Sequence, residues 1–169
     1  MEQLIPWAVF CLVVLALCAL RPGGGRIFLG IFYLAMALGV NIVLLLVAPD
    51  QFVALGTDAP LLRPYEWFFA EIVARAPLAF GLLAAAYEVA AGLLLLGKGR
   101  WVRWGAAAGI VHLLAITPLG VWTLANPILA LALALLLRRD HDRSLPEMLT
   151  SAIVGLRGWR MSPHLVGHK

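Results

Sequence analysis

Glu88 sits inside a long apolar run, and Asn41, His112 and Asn126 sit inside apolar runs of their own. A carboxyl group and an imidazole are the side chains best suited to acid–base work near neutral pH. Asparagine amides add donors and an acceptor. Polar groups at such positions are costly in a bilayer and face a bundle interior or a cavity. Asn41, Glu88, His112 and Asn126 are therefore candidate ligand-binding residues, and Glu88 with His112 a candidate catalytic acid–base pair. The plainer alternative is packing. Asn41 and Asn126 would then be interhelical hydrogen-bond partners, worth about 0.6–2 kcal/mol each, and His112 a structural contact. A carboxyl group near mid-membrane is either neutral or paired, and His112 is the nearest candidate partner. Tyr87, about 100° round the helix from Glu88, reads as packing, and Trp122 as a membrane-belt or packing residue.

Other chemistries lack their residues. Cys11 and Cys18 lie in one apolar run without a CxxC, so no zinc site, disulfide framework or dithiol centre is indicated. Seven residues apart, they share a helix face about 10 Å from one another, too far to bridge. The net charge is +4 and the pI about 9.6. The basic residues gather at the ends of apolar runs, as membrane orientation requires, without the aromatic–basic interleaving of a nucleic-acid surface.

The elements that carry these residues are membrane spans. The 169 residues are 63% hydrophobic and 13% charged, with a mean hydropathy of +0.94. Soluble domains run at about 45–50% apolar and about 25% charged, so lipid must solvate the excess. Five spans are expected, at about 4–20, 27–48, 77–97, 101–117 and 119–137. The first follows an uncharged N-terminal stretch with no small-residue cleavage site before Arg21, and reads as an uncleaved span. Arg21-Pro22-Gly23-Gly24-Gly25-Arg26 reads as a charged breaker. Residues 101–137 would make a helix of about 55 Å, against a hydrocarbon core of roughly 30 Å. Thr117-Pro118-Leu119-Gly120 is the expected break, and Pro127 an expected kink in the last span. Between the second and third spans, Glu66 to Ala76 reads as a short helix that lies on the bilayer or extends the next span outward.

Within the spans, small residues share a face with each polar one. Gly81, Ala85, Glu88 and Gly92 fall at steps of four, three and four. Gly105 and Gly109 accompany His112, and Gly30 and Ala37 accompany Asn41. Small residues let helix backbones approach, so these faces point at other helices. At about 1.5 Å per residue, Asn41 and Asn126 lie roughly 10 Å below the outer ends of their spans, His112 roughly 8 Å and Glu88 roughly 16 Å. Together they make one loose polar layer in the outer half of the bundle.

The tail, 144–169, is basic. Leu145, Met148, Leu149, Ala152, Ile153 and Leu156 repeat at helical spacing, and Ser144 with Glu147 fits a capping box. An amphipathic helix on the cytoplasmic surface follows, with Arg143, Arg157 and Arg160 near anionic headgroups.

Arg26-Ile27-Phe28-Leu29-Gly30 opens the second span, Pro49-Asp50-Gln51-Phe52-Val53-Ala54-Leu55-Gly56 follows it, and Tyr87-Glu88 with Gly92 and a leucine run to Gly97 crosses the third. Over about 26–137 this resembles the DoxX-like family of small four-helix membrane proteins. The resemblance implies a four-helix core, with the first span and the tail as additions, and it singles out Glu88. Some members resemble quinone-linked subunits, such as that of a thiosulfate:quinone oxidoreductase, so a quinone is the cofactor it suggests. This chain departs from such an electron path, having no redox cysteine pair and no paired haem histidines in its core.

Three roles are open to such a chain. It could be a binding or accessory subunit, holding a quinone or other lipidic molecule or packing against a larger respiratory-type complex or its own copies. It could be a small membrane enzyme, oxidoreductase- or isomerase-like, using Glu88 and His112. It could be a purely structural helix bundle. A bacterial inner membrane is the expected location.

Loop charge sets the orientation. The 21–26 and 98–103 loops and the tail are positive, while 49–76 carries four acids against two arginines. The N-terminus should lie outside and the C-terminus in the cytoplasm. Cysteine labelling in intact cells should therefore modify Asp58→Cys and spare Lys98→Cys and Arg139→Cys; the reverse pattern would invert the topology.

Overall fold

The computed structural model describes residues 3–151, and all regular structure within them is helical. Helix α1 is Leu4–Leu20 and α2 is Pro22–Val47. Two short helices follow, α3 at Pro49–Thr57 and α4 at Arg63–Glu71. Then come α5 at Pro77–Leu96, α6 at Arg100–Ile116 and α7 at Asn126–Leu137. Residues 145–151 open an eighth, α8. Proline stands in the first turn of α2, α3, α4, α5 and α7. There its fixed φ suits the helix and its missing N–H would have had no partner.

Three helices are long and apolar enough to cross a membrane: Pro22–Val47, Pro77–Leu96 and Arg100–Leu119. Two shorter apolar segments, Leu4–Leu20 and Val121–Leu137, stand beside them. The helices pack as a ring, α1 on α2, α2 on α5, α5 on α6, α6 on α7, and α7 back on α1. One half of its interior is solid, filled by Cys11, Val14, Leu29, Leu95, Val102, Leu129, Leu133 and their neighbours. Cys11 and Cys18 are both buried there as free thiols.

Glycines set the helix spacing. A Cβ on Gly92 would lie 2.9 Å from the Gly30 carbonyl oxygen, so α2 and α5 cross backbone on backbone. A Cβ on Gly105 would come within 2.7 Å of the Leu95 nitrogen, bringing α6 as close to α5. The small-residue faces thus lie where helices meet, as in other membrane bundles.

Several boundaries differ from the sequence reading. The 21–26 breaker is interrupted only at Arg21, whose φ and ψ are −137° and 71°, and helix resumes at Pro22. Of its glycines, Gly25 lies against α1: a Cβ there would be 2.6 Å from Cys18 Sγ. Pro127 does not kink a span but starts α7, and 117–123 is a pair of short 3₁₀ turns around Gly120. The Thr123 hydroxyl holds that turn, accepting from the Gly120 N–H at 3.2 Å and donating to the Thr117 carbonyl at 2.7 Å. The interfacial helix begins earlier than expected, at Arg63, and ends in a 3₁₀ turn at Val73–Arg75. Residues 36–41 are π-helical, which apolar periodicity does not reveal.

Arg26 reads in the sequence as a loop charge, yet it is 2% exposed. Its Nη1 donates to the Gly97 carbonyl at 2.7 Å and its Nη2 to the Arg143 carbonyl at 2.8 Å. It therefore joins the start of α2 to the α5–α6 loop and the tail. Lys98 pairs with Glu147, and Glu147 also accepts the Ser144 N–H at 2.8 Å, half of the expected capping box. The Lys98 ammonium holds the Glu147 carboxyl down to about 2. Of the expected tail helix, residues 152–157 lie outside the described residues, as do Arg157 and Arg160.

The backbone crossing predicts a contrast between two glycines. Gly92→Ala forces α2 and α5 apart and should cost about 1–3 kcal/mol, lowering the thermal midpoint in detergent. Gly39→Ala, where a Cβ meets nothing within 4 Å, should leave it unchanged. Equal midpoints for the two variants would refute the crossing.

Candidate functional site

The other half of the ring is hollow. A cavity of about 390 Å³ lies between the helices, within the size range of small-molecule pockets, and its wall includes all four polar residues singled out above. Most of the rest is aromatic or aliphatic, with Trp7, Phe32, Tyr33 and Trp122 among the lining. The short helices cover part of it: Phe52 and Leu55 of α3 and Phe69 of α4 line the cavity. Two bonds hold that cover. The Tyr65 hydroxyl donates to the Ala115 carbonyl at 2.6 Å, and the Leu61 N–H to the Pro118 carbonyl at 2.9 Å.

Three of the four polar residues touch. Glu88, 5% exposed, has His112 Nε2 3.0 Å from its Oε1. Its Oε2 accepts from Asn41 Nδ2 at 2.6 Å. The carboxyl group of α5 is thus held between α6 and the π-helical turn within α2. A π turn widens the helix locally and is common at functional sites; here Asn41 is its last residue. The contact with His112 can be written as carboxylate and imidazolium or as carboxylic acid and imidazole. Both forms are neutral overall, so a proton can pass between them without leaving a net charge in low dielectric.

Aromatic rings fix the imidazole. Tyr33 meets it edge-on at 6.0 Å, and Tyr87 stacks on it at 5.7 Å. Both phenols are anchored on α6, Tyr33 to the Gly109 carbonyl at 3.0 Å and Tyr87 to the Ala108 carbonyl at 2.9 Å. Tyr87 therefore packs, as its angle suggests, but against the His112 ring.

Asn126 lines the same cavity apart from the triad. Its Oδ1 accepts from Trp7 Nε1 at 2.8 Å. Its Nδ2 is buried and has no partner among the described residues. A buried donor left unpaired costs about 1–3 kcal/mol. Sequence reasoning missed Tyr33 and Trp7. Each is one aromatic among many in an apolar run, with partners 76 and 119 residues away, so no local signal marks it. Among the described residues, no three metal-ligating side chains come together.

Comparison of the chain with protein-family models, with curated proteins and with solved structures gave no match.

The triad should behave as a unit. Glu88→Gln keeps an acceptor for Asn41 and a donor for His112, and should retain the thermal midpoint within a few degrees. Glu88→Leu strands both partners and should cost about 3 kcal/mol or more. A Leu variant as stable as the parent would show that the contacts do not hold these helices together.

Proposed function

We propose that this chain is a membrane-embedded binding protein, an accessory subunit that holds a quinone or similar lipidic molecule in the cavity beside Glu88 and His112. The observation that carries the reading is the combination in one cavity of an apolar, aromatic wall and a polar triad whose members bond to one another. An apolar molecule bearing a polar head could place its body on the first and its head near the second. The likeness to DoxX-like proteins supports the same ligand class.

The membrane topology belongs to this reading. In it the chain crosses five times, with its N-terminus outside, its C-terminus in the cytoplasm and α8 on the inner surface of a bacterial membrane. Support comes from the lengths of α1 and Val121–Leu137, each 17 residues, or about 25 Å at 1.5 Å per residue. Further support is the outward apolar surface on both: Ile5, Val9, Leu12 and Val13 are more than half exposed, as is Leu131. In water such a surface would aggregate; in lipid it is solvated.

A second reading has its own observation. The 3.0 Å contact between Glu88 and His112 is the separation an acid–base pair needs, so a small oxidoreductase- or isomerase-like enzyme acting on an apolar substrate is the alternative.

Purification in mild detergent, followed by solvent extraction and mass spectrometry, tests the binding reading. A near-stoichiometric quinone or lipid should accompany the parent protein and be lost from Ala84→Trp, since Ala84 lines the cavity and an indole there would fill it. An Ala84→Trp protein carrying the same molecule in the same amount would overturn it. For the enzymatic alternative, Glu88→Gln should keep the molecule but lose its turnover.

A further inference from the structure

The cavity has a second polar feature that the triad does not use. Asn126 begins α7, is 1% exposed and lines the cavity together with Trp7. The two nitrogen and oxygen ends of a primary amide are interchangeable in shape but opposite in chemistry. The indole N–H of Trp7 can only donate, so the atom 2.8 Å from it is the amide oxygen. That bond fixes which way the amide is turned. It leaves Nδ2, a donor, without a partner among the described residues. Asn41, by contrast, spends its Nδ2 on Glu88.

Resting on the binding reading above, we infer that the occupant of the cavity carries a carbonyl-type hydrogen-bond acceptor, and that Asn126, oriented by Trp7, is the residue that selects for it. The rest of the wall is rich in aromatic rings, which suit a flat apolar body. An acceptor brought to Nδ2 supplies a partner where the protein leaves the amide nitrogen without one. An apolar molecule of the same shape without the acceptor would fill the same space and leave that donor buried and unpaired. Sites built to hydrogen-bond a ligand discriminate strongly against analogues lacking the partner atom.

The test uses two probes of nearly equal shape, 4-hexylacetophenone and 4-hexyl-α-methylstyrene, in which a methylene group replaces the carbonyl oxygen. Binding to the full-length protein in lipid nanodiscs is measured for each. The ketone should bind about tenfold more tightly or better. Its carbonyl stretch should move to lower frequency on binding, a signature that a purely structural Asn126 would not give. Asn126→Leu should bring the ketone down to the affinity that the same variant has for the olefin and abolish the frequency shift. Should that variant fail to fold, Trp7→Phe reaches the same amide from its other end. It keeps a ring in the wall but frees the amide to turn, and the ketone preference should fall. Equal affinities for the two probes in the parent, both lost in Ala84→Trp, would overturn the acceptor inference and leave the binding reading standing. A ketone preference that survives both Asn126→Leu and Trp7→Phe would overturn it as well. If neither probe binds the parent, the inference and the binding reading fall together.

Discussion

Two glycines that meet backbone to backbone, Gly30 and Gly92, set the distance on which the polar layer depends. Lipid supplies no hydrophobic push between helices, so close packing has to do that work. With α2 drawn against α5 at that crossing, Asn41 reaches Glu88 from a position two to three turns further on. The matching approach of α6 at Gly105 brings His112 to the other oxygen of the same carboxyl group. A wider crossing would leave a carboxyl group in low dielectric with nothing beside it, which is the costly case.

The same spacing explains why the bundle is solid in one half and hollow in the other. Near the Gly30–Gly92 crossing, Leu29, Leu95, Leu129 and Leu133 fill the ring completely. Past the triad, the chain turns to bulkier rings that stand apart across a gap, and α3 and α4 lie over it. The cover is held mostly by backbone acceptors at the end of α6, Ala115 and Pro118. Their carbonyls are free to accept because a helix leaves its last carbonyls without intrahelical partners.

Much of this was legible in the residues. Steps of three and four among Gly81, Ala85, Glu88 and Gly92 put the carboxyl group on the packed face of its helix, and those four residues are buried. Thr117-Pro118-Leu119-Gly120 marked the end of α6 because proline and glycine act locally. What was not legible depended on tertiary contact. Arg26 reads as a loop charge because its acceptors, the carbonyls of Gly97 and Arg143, lie 71 and 117 residues away. Pro127 looked like a kink because a proline in an apolar run reads the same way whether it bends a helix or begins one. The choice of partner for Asn126 was equally hidden, since Trp7 is 119 residues distant.

The π-helical turn at Met36–Asn41 also bears on how this chain can be related to others. Such a turn holds one residue more than the α-helical path it replaces. The last part of α2, Ile42–Val47, is therefore out of phase with its first part by about one residue, or 100°. A helical wheel drawn continuously through 22–47 assigns the wrong residues to lipid beyond Asn41. A relative with an uninterrupted helix here would align only with a one-residue gap inside a segment that has no loop to absorb it.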